Sequence, residues 1–130
     1  LSVQLMHKRS PRPLWCVGDG LGFSQVVINL LRNALQAMSE CPDRRLWVGC
    51  HAQQDQVMLV IRDSGPGMPA DLIERWGKPF QSSRHEGMGL GLAISREIVT
   101  RHQGQLQLHN HPQGGLEAAV SIPLAAGAFT

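Results

Sequence analysis

Apolar residues recur along the chain at two periods. From Leu21 to Ser39 they fall at helical spacing. Val27, Leu30, Leu31, Ala34 and Met38 form one stripe, Asp19 stands ahead of it as a cap, and Cys41-Pro42 closes it. Gly89 to His102 repeats that period through Leu92, Ile94, Ile98 and Val99, with Gly104 as a stop. Elsewhere the helical spacing gives way to short strand-like runs, of which Ser2 to Met6 alternates polar and apolar. Ser2 to Met6, Leu14 to Val17, Arg45 to Ala52, Gln56 to Arg62, Gln105 to His109 and Leu116 to Leu124 read as strands. Gln53-Gln54-Asp55 and Pro112-Gln113-Gly114-Gly115 are turns between neighbouring strands. Ala70 to Trp76 is a short helical turn, and Gly77 to Gly87 is polar, irregular and expected to be mobile. Roughly six strands, two long helices and one short one predict an α+β fold. It is a two-layer α/β sandwich with about three helices on one face of a mixed, mostly antiparallel sheet.

Composition narrows the function classes. The chain has 130 residues, enough for one domain that buries its own core without a disulfide or metal staple. A net charge of +2, with basic residues scattered, argues against a nucleic-acid partner. Cys16, Cys41 and Cys50 are odd in number and have no Cys-x-x-Cys spacing, which fits small buried side chains in a reducing, cytoplasmic setting. No segment reaches the ~20 apolar residues of a membrane span, so no membrane contact is expected of this piece. It opens on Leu1 rather than Met, which leaves room for a parent protein with spans of its own.

Four clusters carry candidate chemistry, and each also has a plain reading. Asn29 and Asn33 are one helical turn apart and share a polar face with Gln36. An amide oxygen is a hard, neutral ligand of the kind Mg²⁺ takes beside phosphate and water; two solvent-facing asparagines fit the spacing too. Asp63-Ser-Gly65-Pro-Gly67-Met68 follows a strand. A carboxylate there can accept from an exocyclic amine such as adenine's, and glycines let a flat ring approach the backbone; the same residues also make an ordinary turn. Gly87-Met88-Gly89-Leu90-Gly91 leads into a helix, where free N–H groups and the helix's positive end suit phosphate. Neither the Rossmann nor the Walker spacing fits it. Lys78-Pro79-Phe80, with Arg84 further on, suits the root of a lid over a charged ligand, or a surface loop.

Together and in this order, the four clusters resemble the catalytic domain of bacterial sensor histidine kinases, a branch of the ATPase superfamily shared with Hsp90, MutL and type II topoisomerases. The resemblance runs from about Leu14 to Pro123, with Asp63 thirty residues after Asn33 and Gly87 twenty-four after Asp63. It implies ATP and Mg²⁺ as ligands, with Asn33 on the metal and Asn29 supporting the phosphate side. It implies Asp63 as the adenine acceptor, and Gly65, Gly67 and Met68 as the pocket floor. Lys78, Phe80 and Arg84 would belong to the lid, which would order over bound phosphates. Gly87, Met88, Gly89, Leu90 and Gly91 would lie beside the phosphates.

Asn33-Ala-Leu-Gln-Ala-Met38 and the short lid resemble the kinases of nitrogen and dicarboxylate sensing. Two departures stand out. Gly115-Leu-Glu117-Ala118 replaces the family's Gly-x-Thr-Phe, which questions a hydroxyl contact near adenine and one core aromatic. Gln36 stands where many of these kinases have Lys or Arg.

Superfamily hydrolases carry a water-activating glutamate at the position of Asn29, and serine kinases of the anti-sigma-factor type an acidic residue. An amide cannot serve as that base. The resemblance therefore implies transfer of the γ-phosphoryl group to a histidine outside this chain. None of the six histidines here fits that role: His7 precedes Lys8, His85 lies in the expected lid, and His109 and His111 flank a turn. The implied partners are the parent's own dimerisation and phosphoacceptor helices and a response regulator, with the isolated domain a monomer. The alternative is a silent nucleotide-binding or docking module of the same fold.

Overall fold

The computed structural model describes residues 3–8, 16, 18–77 and 89–124. Its elements in chain order are β1 (Gln4–Lys8), α1 (Gly20–Ala37), β2 (Arg45–Gln53), β3 (Gln56–Asp63), α2 (Ala70–Gly77), α3 (Gly89–Arg101), β4 (Gln105–Asn110) and β5 (Leu116–Pro123). The strands form one sheet in the order β1-β2-β3-β5-β4. Only β1 and β2 run parallel, with α1 as the crossover between them; the other three pairings are antiparallel. Two tight connections follow from turn chemistry. Gln54 and Asp55 take positive φ between β2 and β3, and Gly114 and Gly115 do so before β5.

Registers decide which side chains meet the helices. Leu46 pairs with Asp63, Val48 with Ile61, Ile61 with Ala118, and Ala118 with Leu108. With the two-residue alternation of strands, these residues share one face. That face packs on Val26, Leu30, Ala34 and Met38 of α1 and on Leu92 and Val99 of α3. The α1 stripe differs from expectation at its start. Val26 is buried and Val27 is only partly so, because burial follows strict four-residue steps from Gly22. Gly22 also lies against Ile98, which brings α1 and α3 close together.

The opposite face of the sheet carries Trp47, Arg62 and Glu117. The Arg62 guanidinium stacks over the Trp47 ring at 3.7 Å and contacts His111 Nε2 at 2.7 Å, while Glu117 pairs with His109. Of the strand expected over 14–17 only Cys16 is described; it packs against the core outside any strand.

The start of α1 is held twice. Asp19 accepts from the Leu21 N–H at 3.0 Å as an N-cap, and its own N–H donates to His102 Nε2 at 2.9 Å. His102 Nδ1 lies 2.8 Å from the Ile98 carbonyl. A carbonyl only accepts, so Nδ1 bears the proton and Nε2 is the acceptor. One imidazole thus ties the end of α3 to the beginning of α1.

Candidate nucleotide site

The polar face of α1 looks onto the first turn of α3. Asn29, Arg32, Asn33, Gln36, Leu90, Gly91 and Leu92 line a cleft of about 240 Å³ between the two helices. Gly89, Leu90 and Gly91 are not in a loop ahead of the helix but form its first turn. Their N–H groups have no partner within the helix, which leaves them for a ligand. Leu90 is 58% exposed at the cleft mouth. Arg32 was missed in sequence. It precedes Gln36 by one turn on the same helix face and puts a cation into the cleft that neutral Gln36 lacks. The four-residue spacing from Arg32 to Gln36 was the available signal.

Asp63 closes β3 on the helix-facing side of the sheet and is 2% exposed. Its Oδ1 accepts from the Gly65 N–H at 2.9 Å and the Leu116 N–H at 3.2 Å. Burial pushes its carboxyl above the usual carboxylate range, and those two N–H groups pull part of the way back. With both donors on Oδ1, Oδ2 has no hydrogen-bond partner among the described residues. The neighbourhood is tight. Gly115 has φ +87°, and a Cβ there would fall 1.8 Å from the Asp63 carbonyl oxygen, so β5 can begin beside Asp63 only with glycine at 115.

The loop after Asp63 is pinned at both ends. Gly65 lies against the Ala37 carbonyl at the end of α1, and the Ser64 N–H and hydroxyl reach Met38 Sδ at 3.4 Å. Gly67 has φ +81° and sits where a Cβ would strike Asn110 Oδ1. Asn110 accepts from the Met68 N–H at 2.8 Å and donates to the Met68 carbonyl at 2.7 Å. Asn110 was not singled out in sequence, since an exposed asparagine at a strand end has no distinguishing pattern. Met68 is half-buried and packs on the core.

The structure therefore brings Asn29, Asn33, Gln36, Leu90 and Gly91 into one cleft. Asp63, Gly65, Gly67 and Met68 lie together beside the C-terminal end of α1, where Gly65 meets the Ala37 carbonyl. Lys78, Phe80, Arg84, Gly87 and Met88, with the expected lid, lie outside the described residues. Glu117 departs from its expected place: it is on the far face of the sheet, paired with His109, while its neighbour Leu116 faces Asp63. Adjacent strand residues point oppositely, so Glu117 is not the residue beside Asp63. Ala118 is buried on the helix face, where Ile61 and Leu108 flank it in register.

With this arrangement the chain belongs to the histidine kinase-, DNA gyrase B- and HSP90-like ATPases, whose family profile matches residues 18–126. Within that family it is of the type of the ATP-binding catalytic domains of sensor histidine kinases. The C4-dicarboxylate transport sensor protein DctB of Rhizobium meliloti is 39% identical over 104 residues, covering 80% of this chain and 17% of that protein. DctB of Pseudomonas aeruginosa is 37% identical over 98% of this chain and 21% of its own length. The chain thus spans about a fifth of these relatives. Among solved structures, the catalytic domain of histidine kinase ThkA has a TM-score of 0.77 at 27% identity, covering 93% of this chain and 79% of that one. The mycobacterial sensor histidine kinase MprB has a TM-score of 0.75 at 27% identity, covering 94% and 84%.

Proposed function

We propose that the cleft between α1 and α3 holds Mg-ATP, and that the domain, spanning residues 1–130, presents its γ-phosphoryl group to a histidine on a helical hairpin elsewhere in the parent protein. The observation that carries this reading is the meeting of Asn29, Arg32 and Asn33 with the free N–H groups of the α3 first turn in one cleft. Asp63, a buried acceptor whose Oδ2 has no partner among the described residues, supports adenine recognition beside the C-terminal end of α1.

The donor set fits Mg²⁺ that arrives with its nucleotide. Among the described residues no group of three or more His, Cys, Asp or Glu could hold a metal. Amide oxygens on Asn33 and Asn29 supply the one or two protein ligands that Mg²⁺ takes when phosphates and water fill the rest. When bound, the cation neutralises charge on the phosphate oxygens. The chain's own residues position and neutralise. Asn33 faces the cation, Arg32 and the α3 N–H groups face the phosphates, and Asp63 fixes the ring. No described group stands where a water-activating glutamate would, since Asn29 holds that position. Phosphoryl transfer to an incoming imidazole then outruns hydrolysis, with attacking and leaving atoms in line.

By the same reading the partners are the parent's dimerisation and phosphoacceptor helices and a response regulator. The domain works in the cytoplasm and is a monomer when isolated. No described helix is long and apolar enough to cross a membrane. The two DctB relatives support a place near the dicarboxylate-sensing kinases. The test is a calorimetric titration with Mg²⁺ and a non-hydrolysable ATP analogue, beside Asn33→Ala and Asp63→Ala. Binding that weakens at least tenfold in both supports the reading. A folded chain that does not bind points instead to a silent docking module.

A further inference from the structure

Ser95 is fully buried between α1 and α3, at 0% exposure, in a helix whose inward residues are otherwise apolar. A hydroxyl there must find a partner. Asn29 Nδ2 lies 3.3 Å from Ser95 Oγ and 3.4 Å from the Gly91 carbonyl. Gly91 and Ser95 are four residues apart, so both face α1 from the same side of α3. A backbone carbonyl can only accept, so the end of the Asn29 amide that faces it must be nitrogen. The amide's orientation is thereby fixed. Its carbonyl oxygen has no hydrogen-bond partner among the described residues, on a side chain that lines the cleft.

From this we infer that Ser95 is a positioning residue of the nucleotide site: its hydroxyl, with the Gly91 carbonyl, holds the Asn29 nitrogen against α3 and leaves Oδ1 for the cleft. The inference rests on the nucleotide reading of that cleft. Asn29 then enters the site as an acceptor, serving Mg²⁺ or a water bound to it, because its donor end is engaged. Ser95 touches no ligand itself. The Gly91 carbonyl excludes the alternative flip, in which the NH₂ group would face the cation, and the Ser95 hydroxyl holds the amide against α3.

A double-mutant cycle tests this. Ser95→Ala, Asn29→Ala and the double variant are titrated with a non-hydrolysable ATP analogue in Mg²⁺, and with ADP in excess chelator. Thermal unfolding is followed in parallel. The expected result is a three- to tenfold loss of Mg²⁺-dependent affinity in Ser95→Ala, with chelated ADP binding unchanged and no further loss on adding Ser95→Ala to Asn29→Ala. Should the alanine variant not fold, Ser95→Cys, whose thiol accepts poorly, carries the same comparison. Unchanged affinity in Mg²⁺, an equal loss with and without Mg²⁺, or an additive double variant would each overturn the inference while leaving the nucleotide site intact. No binding by the unsubstituted chain would overturn the nucleotide reading and the inference with it.

Discussion

Replacing Asp63 with asparagine separates what this residue does for a ligand from what it does for the fold. Both N–H groups that Asp63 accepts come to Oδ1, so Asp63→Asn keeps the Gly65 and Leu116 bonds. Only Oδ2 changes, from an acceptor to an NH₂ donor, and that is the atom left for an adenine amine. Losing a charge-assisted bond costs about 1.5–3 kcal/mol, or roughly 10- to 150-fold in affinity, before any donor–donor repulsion is added. The empty domain behaves differently. The carboxyl is raised by burial, so its ionised form costs the fold energy. Its stabilising contribution is full below the unfolded value of about 4 and is lost as pH rises through the higher folded value. At neutral pH the asparagine variant is therefore at least as stable as the parent.

Calorimetric titration with a Mg²⁺-bound ATP analogue and thermal unfolding at pH 7 read the two effects. A 6-oxo purine triphosphate should lose less affinity than ATP, because its oxygen can meet the new NH₂ group. Binding within twofold of the parent would refute the assignment of the adenine side to Asp63. A midpoint several degrees lower would refute the claim that its charge burdens the fold.

Other outcomes follow from the same geometry. Nucleotide affinity in the parent should fall as pH drops through the raised Asp63 value, where Oδ2 takes up a proton; the fall should vanish in Asp63→Asn. Asn33→Ala should weaken Mg²⁺-nucleotide binding by about tenfold or more (~1.4 kcal/mol) and leave chelated ADP unaffected, as titrations in Mg²⁺ and in chelator would show. Gly115→Ala combines a positive φ with a Cβ overlapping the Asp63 carbonyl, and should cost about 3 kcal/mol or more in urea unfolding. Trp76→Phe removes the indole N–H that reaches the Leu106 carbonyl at 2.8 Å, leaving a buried acceptor unpaired at a cost of about 1–3 kcal/mol by the same measurement.

The helices and hairpins were legible because periodicity is a local property. Val57 to Ile61 is a continuous apolar run bounded by polar residues, and Gln54-Asp55 tolerates the left-handed turn, so the β2–β3 hairpin follows from adjacent residues. The parallel pairing of β1 with β2 depends on α1 crossing between them, and no pattern within either strand announces it. Asn33 and Asp63 could be named since their neighbours carry a motif. Ser95 and Asn110 could not, because each matters through a residue far away in sequence: Asn29 for Ser95, Met68 for Asn110. Glu117 stands where the family's Gly-x-Thr-Phe has its threonine, and the resemblance placed that position near adenine. A shift of one residue along a strand reverses the face, so the register with Arg62 had to be known first.

The Asn110 amide imitates a peptide group. By accepting from Met68 and donating to it, the side chain does what a neighbouring strand's backbone would do, beside β4, the edge strand among the described residues. The segment from Ser64 to Pro69 is thus spared the many shapes open to a free loop. Its ordering entropy is settled when the chain folds and not when a ligand arrives. If this segment walls the proposed adenine pocket, that wall is rigid in advance, and differences in affinity among bases should reside in dissociation rates, with association nearly uniform.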